Sequence, residues 1–230
     1  MSWLTSFFSW LGEFFGTAAN WSGPGGIPMR LLEHLEFSAL ALALAVVIAV
    51  PVGLLIGHTG RGEVIVVVSA NLARALPTLG LLVMFVLLLG TASIWPVIIP
   101  LVLLSVPPIL VNTYEGIRGV DPELRDAAYG MGLRGGQVLT RALVPVALPL
   151  ILLGCRLSAI QVVATTTVAA YTGLGGLGRY VIDGFATKDY ASVVGGSVLI
   201  VLFALVVQIL FALAQRVAVS PGVSQRQRIR

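Results

Sequence analysis

Long runs of apolar residues without a charged side chain constrain this chain more than any other feature. Phe37 to Ile56 is such a run, Ile94 to Val111 is a second, and Ala191 to Ala214 contains only Gln208 as a strongly polar member. A helix rises about 1.5 Å per residue, so about 20 apolar residues cross the hydrocarbon layer of a bilayer. Backbone groups in lipid must bond internally, and no strand alternation is present, so we predict membrane-spanning helices.

Two less uniform segments complete the predicted set of spans. Both are apolar except for a few polar side chains. The five predicted spans are residues 37–56, 64–89, 94–111, 143–170 and 191–214, within a membrane domain of residues 31–217. The sequence therefore predicts an all-α polytopic membrane protein with a cytoplasmic tail at residues 218–230.

The composition excludes several other classes of protein. Only 10% of the residues are charged and 57% are hydrophobic, whereas a soluble domain carries about 25% charged residues. The net charge of +4 is spread thinly and forms no basic stripe, which argues against nucleic-acid binding. The single thiol, Cys155, has no partner for an internal disulfide.

The first 26 residues form a separate predicted segment. Aromatic residues recur there at helical spacing, at Trp3, Phe7, Trp10 and Phe14, with a polar face opposite. This pattern predicts an amphipathic helix that lies in the membrane interface, and a sixth span is the alternative. The Gly- and Pro-containing stretch of residues 22–26 then breaks the chain before the first long span.

The basic residues predict the orientation, because cytoplasmic loops carry an excess of Lys and Arg. With the N-terminus outside and the C-terminus in the cytoplasm, only Arg30, Arg179 and Lys188 fall on the outer side. The inner side then receives nine arginines: Arg61, Arg118, Arg125, Arg134, Arg141, Arg216, Arg226, Arg228 and Arg230.

One predicted cytoplasmic loop, from Glu115 to Arg141, is long and contains helix signals. Asp121 is a good N-cap, Pro122 suits the first helical position, and Gly132 stops the helix. A second short helix is predicted from Gln137 to Val144, ending before Pro145.

The first of these loop helices has an apolar stripe. Its apolar residues follow the spacing i, i+3, i+4, i+7 and are predicted to line one face: Leu124, Ala127, Ala128 and Met131. Such a face either docks into the groove of a partner or packs under the protein's own bundle. The residue pattern alone leaves both readings open.

The same loop resembles the EAA motif of binding-protein-dependent ABC importer permeases. That motif reads Glu-Ala-Ala, three residues, Gly, nine residues, then Ile-x-Leu-Pro. Here the corresponding positions hold Asp126, Ala127, Ala128, Gly132, Ala142, Val144 and Pro145. Every spacing fits, and the three departures, at 126, 142 and 144, are conservative.

Further segments resemble the osmoprotectant branch of these permeases, which serves glycine betaine, choline, carnitine or proline. The resemblance covers about residues 35–217. Its segments are Tyr114-Glu115-Gly116-Ile117-Arg118, Val120-Asp121-Pro122, Gly130-Met131-Gly132, Thr167-Val168-Ala169-Ala170 and Gly173-Leu174-Gly175-Gly176-Leu177-Gly178. Methionine and phosphonate permeases are the nearest alternatives, and a membrane scaffold without transport activity is the alternative of another class.

The resemblance implies a type I, MetI-like bundle and a division of labour. Two permease chains, identical or different, would form the pathway, an extracytoplasmic binding protein would deliver the solute, and a separate ATPase would bind ATP. The chain itself is then not an enzyme and needs no cofactor. Lys188 is the only lysine and does not lie in a phosphate-binding loop, G-x-x-x-x-G-K-[ST]. The residues implied in ATPase coupling are Asp121, Asp126, Ala127, Ala128, Gly132 and Pro145.

Polar residues inside the fourth span are candidates for the solute pathway. Arginine at the centre of a membrane helix costs about 2.5–3.5 kcal/mol, so Arg156 is a functional candidate, with Gln161 and Thr165 on nearby turns. The alternative is that Arg156 lies near the inner interface and snorkels. Thr165 and Thr166 either line a hydrated path or bond to the carbonyls of their own helix.

Glycines after the fourth span predict a tight turn. Gly175 and Gly178 belong to a stretch that matches the dinucleotide-binding fingerprint, but that fingerprint must follow a strand. We therefore interpret them as a turn and as candidate gate residues. No metal site is expected around His34 and His58, because no carboxylate or cysteine spacing supports one.

Overall fold

The computed structural model describes residues 3–218, apart from the side chains of residues 72–74, and the regular elements in that range are all helical. The helices are α1 (Trp3–Gly16), α2 (Ile27–Thr59), α3 (Glu63–Ala75), α4 (Thr78–Leu89), α5 (Trp95–Arg118), α6 (Pro122–Gly130), α7 (Gly135–Gln137), α8 (Val144–Thr166), α9 (Gly178–Thr187) and α10 (Tyr190–Ala218). Short 3₁₀ turns are present at Ala18–Trp21 and Thr167–Thr172, and a π-helical turn at Val138–Leu143. The predicted tail lies outside the described residues from 219 onwards.

Four helical stretches are long and apolar enough to cross a membrane. They are Ile27–Thr59, Trp95–Arg118, Gly135–Thr172 and Tyr190–Ala218. Each covers one of the predicted spans to within one residue, so the prediction of an all-α polytopic membrane protein is confirmed.

The predicted span of residues 64–89 is not a single helix, because the structure divides it at Pro77. The two pieces, α3 and α4, have 13 and 12 residues and therefore reach about 20 and 18 Å, less than the roughly 30 Å of a hydrocarbon layer. Proline has no N–H to donate and disfavours helical geometry in the residue before it. Pro77 instead starts α4, where its carbonyl accepts the Leu81 N–H at 2.9 Å.

The chain forms two compact units, and each has its own buried interior. The first unit comprises Met1–Leu42, Pro77–Val102 and Ile160–Val207. Its main buried cluster joins α2, α4, α5, α8 and the turn after α8 through Ala41, Leu82, Val97, Leu101, Val162 and Ala169. Small residues in this cluster allow close helix packing, which is the usual way in which membrane helices associate.

The second unit comprises Ala43–Leu76, Leu103–Ala159 and Gln208–Arg230. Its buried cluster joins the end of α5, the surface helix α6 and the start of α8 through Ile117, Val120, Ala128, Val138, Leu143, Ala147 and Ile151. The hydroxyl of Ser158 on α8 donates to the carbonyl of Ser105 on α5 at 3.1 Å. Such bonds satisfy buried polar groups where water is absent.

The N-terminal helix α1 has 14 residues and packs on protein through its last two turns. Phe14 is 1% exposed, and its ring meets Tyr180 edge-on with centroids 5.1 Å apart. A methyl group at Gly195 of α10 would overlap the Phe14 ring, so glycine is required there for close approach. Trp3 remains exposed. The aromatic stripe predicted for the lipid interface is therefore used partly as a protein contact.

Candidate functional site: the surface helix and the glycine loop

The surface helix α6 is defined by capping signals at both ends. A side-chain oxygen of Asp121 accepts the Glu123 N–H at 3.0 Å, and Pro122 occupies the first turn. At the other end Gly132 adopts φ +82°, and the Leu133 N–H returns to the Ala128 carbonyl at 3.2 Å. This is a Schellman-type end, in which the left-handed residue is normally glycine. The predicted start and stop of the helix are confirmed.

The four apolar residues of α6 do not share one face, which corrects the sequence interpretation. Ala128 is 1% exposed and Leu124 packs against the same buried cluster. Ala127 is exposed, and Met131 is 76% exposed. Residues four apart lie above one another on a helix, whereas adjacent residues differ by about 100°, so the two alanines point in different directions.

The uncovered face of α6 combines apolar and acidic side chains. Tyr129 is 45% exposed beside the exposed Ala127 and Met131, and Glu123 and Asp126 are also exposed. A short helix with an anchored inner face and an apolar, partly acidic outer face is suited to insertion into a groove of another protein.

From Gly135 the chain is helical without a break into α8, so the predicted helix end before Pro145 is wrong. Val144 donates its N–H to the Leu139 carbonyl, five residues back, in the π-helical turn. Pro145 follows at once and has no N–H to donate. The wider turn just before it allows the proline ring to be accommodated without breaking the helix.

The loop of residues 173–177, here called the glycine loop, is tied to α2 by two acceptor side chains. A carboxylate oxygen of Glu33 accepts the Gly176 N–H at 2.7 Å, and it also pairs with Arg30 at 3.0 Å. His34 Nδ1 accepts the Leu177 N–H at 3.3 Å. His34 Nε2 lies 2.9 Å from the Val163 carbonyl of α8.

Glycine is required at the predicted gate positions for close approach. A methyl group at Gly175 would overlap the Glu33 carboxylate, and one at Gly178 would overlap the backbone of Thr167. Gly176 has φ +92°, a conformation that side-chain-bearing residues rarely adopt. The loop follows a helical turn and precedes α9, so the strand–turn–helix context of a dinucleotide site is absent here.

The predicted polar row on α8 divides into two kinds of residue. Thr165 and Thr166 donate their hydroxyl protons to the carbonyls of Gln161 and Val162, both at 2.8 Å. They therefore follow the back-bonding alternative. Arg156 and Gln161 are half-buried, and Arg156 forms no ion pair with any described residue.

A cavity of about 270 Å³ lies within the first unit and is lined by residues on both sides of the glycine loop. The lining carries hydroxyls and one aromatic ring but no charged side chain: Thr167, Val168, Tyr171, Val181, Ile182, Ser197 and Ile200. Tyr171 is 60% exposed. Tyr171 and Ser197 could not be predicted from the sequence as lining residues, because neither belongs to a local motif.

Two titratable groups near the ends of α9 have shifted pKa values. Hydrogen bonds from the Ser192 hydroxyl (2.6 Å) and backbone N–H (3.1 Å) lower the pKa of Asp189 below its usual 3.8. Burial raises the pKa of Tyr180, whose hydroxyl donates to the Gly25 carbonyl at 2.7 Å. Asp189 thus caps α10, and Tyr180 anchors the segment that precedes α2. Among residues 3–218, no group of three His, Cys, Asp or Glu side chains is placed to hold a metal ion.

Helices of membrane-spanning length and a capped surface helix with an uncovered face define a polytopic membrane protein. Residues 49–225 match the family model described as the binding-protein-dependent transport system inner membrane component. The chain belongs to that family. It is therefore a multi-pass permease subunit of a binding-protein-dependent transporter.

Curated relatives extend this comparison over most of the chain. A glycine betaine/carnitine/choline transport system permease protein, OpuCB of Bacillus subtilis, is 34% identical over 83% of this chain and 87% of its own. The choline transport system permease protein OpuBB of the same organism is 34% identical over 88% of this chain and 92% of its own. The osmoprotectant import permease protein OsmW of Salmonella typhimurium is 31% identical over 86% of this chain and 94% of its own. The predicted resemblance to the osmoprotectant branch is confirmed.

A solved structure supports the fold. An inward-facing form of the MetNI methionine ABC transporter matches with a TM-score of 0.72 and 21% identity, covering 83% of this chain and 95% of that one. The predicted MetI-like fold is confirmed by this match. The roles of the individual coupling and pathway residues stay predictions.

Proposed function

We propose that this chain carries a quaternary-ammonium osmoprotectant, of the glycine betaine, choline or carnitine type, across the cytoplasmic membrane. The observation that supports this most strongly is the similarity to permeases named for those solutes, at 34% identity over 83% and 88% of the chain. The chain supplies the pathway and the coupling surface, and a partner ATPase supplies the energy.

In this proposal the N-terminus lies outside and the C-terminus lies in the cytoplasm. The excess of arginines in the predicted inner segments supports this orientation. It places α6 on the cytoplasmic side and the glycine loop on the outer side.

The surface helix α6 is the proposed docking element for the ATPase. Its inner side, at Leu124 and Ala128, is anchored in a buried cluster, so a push on its outer side is transmitted to α5 and α8. Asp126 and Ala127 lie on the exposed part of the helix. ATP is bound by the partner, and the extracytoplasmic binding protein delivers solute at the opposite side.

A second permease chain completes the proposed pathway, because the few membrane-spanning helices of one chain are too small a set to enclose a path alone. The partner is either another copy of this chain or a similar permease. Lipid surrounds the remaining apolar faces, and no nucleic acid is involved.

The cavity beside the glycine loop is a suitable passage for a trimethylammonium group. Aromatic faces attract such cations, and Tyr171 offers an exposed ring next to the hydroxyl oxygens of Thr167 and Ser197. Arg156 would repel a cation, so we assign it a role in supporting a gate rather than in contacting solute.

The experiment is uptake of labelled choline, glycine betaine and methionine into proteoliposomes that contain this permease with its ATPase, permease partner and binding protein. We expect ATP-dependent uptake of choline or glycine betaine and none of methionine. The control is the same assembly with an ATPase partner that cannot hydrolyse ATP, which should take up nothing.

Uptake of methionine in place of the quaternary amines would overturn the proposed solute class and favour a methionine-type permease. Absence of ATP-dependent uptake of every solute, in an assembly that still forms, would favour a membrane scaffold.

A further inference from the structure

Glu33 and His34 are neighbouring acceptors on α2 that bind successive N–H groups of a segment 143 residues away. Glu33 accepts from Gly176 and His34 accepts from Leu177. Both donors belong to the glycine loop, whose backbone–backbone bonds among the described residues run to neighbouring residues of the chain and not to α2: the N–H groups of Gly173, Arg179 and Tyr180 donate to the carbonyls of Ala170, Gly176 and Leu177. The two side chains therefore form the polar connection of the loop to α2, which we call the acceptor clamp.

The hydrogen bonds define the chemical state that the clamp requires of His34. The ring is fully buried. Nδ1 must carry a lone pair to accept the Leu177 N–H, so Nε2 must carry the proton and donate it to the Val163 carbonyl. Only the neutral Nε2–H tautomer satisfies both bonds. The Phe203 ring packs edge-on against the imidazole, with the ring centroids 5.5 Å apart.

The Glu33 carboxylate is placed to accept a backbone N–H of the glycine loop, as His34 does. Arg30, one turn earlier on α2, pairs with the oxygen that accepts the Gly176 N–H. The absence of a side chain at Gly175 leaves room for the carboxylate to approach the loop backbone. The glycine loop thus allows α2 to approach closely, and Glu33 provides the hydrogen-bond acceptor.

The clamp also determines the spacing of the cavity walls. Thr167 and Tyr171 lie before the glycine loop and Val181 and Ile182 lie after it, and all four line the cavity. Holding the loop against α2 therefore holds the two walls of the cavity at a defined separation.

We propose that Glu33 and His34 are positioning residues for transport, which hold the glycine loop and keep the path closed on that side until solute is delivered. This inference rests on the proposed function for its direction of transport. Side-chain acceptors suit a reversible closure, because water can replace them when the loop moves and the buried N–H groups are not left unbonded.

Matched variants separate the loop contact from the packing of the ring. In His34→Asn the amide oxygen lies near the former Nδ1 and keeps an acceptor for Leu177. In His34→Gln the amide nitrogen lies near the former Nε2 and keeps the bond to Val163, but the loop acceptor is lost. Glu33→Gln retains an oxygen acceptor, whereas Glu33→Ala removes it.

The first measurement is hydrogen–deuterium exchange of the loop peptide in the assembled transporter, which needs no solute. We expect His34→Gln and Glu33→Ala to exchange at least about fivefold faster than wild type, the change expected for loss of one buried hydrogen bond. His34→Asn and Glu33→Gln should stay close to wild type. Equal exchange in all four variants would overturn the clamp.

The second measurement is leakage of trapped choline from ATP-free proteoliposomes, normalised to the amount of reconstituted transporter. Leakage should rise about fivefold in the two variants without a loop acceptor and not in the two conservative ones. Faster exchange without a change in leakage or in uptake per ATP hydrolysed would show a purely structural contact and overturn the positioning role. A wild-type transporter that moves no quaternary amine contradicts the proposed function, while the exchange result still judges the clamp.

A measurement on the unmodified side chains does not depend on variant folding. The chain has two histidines, His34 and His58, so ¹⁵N-histidine labelling gives two sets of signals. A His58→Gln chain assigns them. We expect His34 to be neutral with the proton on Nε2, and a proton on Nδ1 or on both nitrogens would contradict the clamp.

Discussion

The two adjacent alanines of the surface helix provide a sharp test, because the structure gives them opposite surroundings. Ala128 is 1% exposed inside a cluster with Val138 and Leu143, whereas Ala127 is exposed. The same substitution to leucine at each position should therefore have different consequences.

Ala128→Leu adds three carbon atoms to a filled interior. Overpacking of this kind costs about 1–3 kcal/mol. For a chain of this size each kcal/mol lowers the unfolding midpoint by about 2–4 °C, so we expect a fall of about 2–12 °C in the isolated permease. Ala127→Leu should change the free energy of unfolding by no more than about 0.5 kcal/mol, as exposed substitutions usually do.

For binding to the ATPase we expect the opposite: Ala127→Leu should have the larger effect and Ala128→Leu the smaller one. Ala127→Leu places the same bulk in the proposed docking groove, where a cost of about 1–3 kcal/mol corresponds to about 5- to 150-fold weaker binding. The assays are thermal unfolding of the purified permease, binding of the purified ATPase, and ATP-driven uptake. Wild-type ATPase binding by Ala127→Leu, or an unchanged unfolding midpoint in Ala128→Leu, would refute the assignment of the two faces.

Three further outcomes follow from other contacts. Gly195→Ala should release α1, because its methyl group overlaps the Phe14 ring, and Phe14→Leu in the same chain should reduce the release, as measured by limited proteolysis after α1. Asp121→Ala should lower the stability of the α6 region by about 1 kcal/mol through loss of the cap, whereas Asp121→Asn should not, in exchange measurements of residues 122–130. The lowered pKa of Asp189 stabilises the folded state above pH 3.8 and loses that effect as the pH falls through its folded pKa. Asp189→Asn should therefore flatten the fall in stability as the pH drops through and below 3.8, and an unchanged acid limb would contradict the cap formed with Ser192.

Features that depend on short stretches of sequence were predictable. The apolar runs locate the long helices, and Asp121, Pro122 and Gly132 mark the ends of α6, because capping involves residues within one turn. The spacing of the EAA-like motif identified the family.

Features that depend on tertiary contacts were not predictable from the sequence pattern. The spacing of apolar residues on α6 predicts a helix but not which side of it faces the protein interior. The different environments of Ala127 and Ala128 therefore depend on how α5 and α8 pack against it. The helix continues past Pro145 because a π-helical turn lies just before the proline. The sequence pattern does not predict such a turn. Glu33 and His34 contact a loop 143 residues away, and nothing local in their sequence encodes that partner.

The most direct test of the central claim is crosslinking from the exposed face of α6 to the ATPase. The variant is Met131→Cys in a chain that carries Cys155→Ser, with Val138→Cys as the matched control, because Met131 is 76% exposed and Val138 is fully buried. We predict an adduct with the ATPase from position 131 and none from position 138. Labelling of position 131 only from the binding-protein side of sealed vesicles, or no adduct in an assembled transporter, would contradict the account.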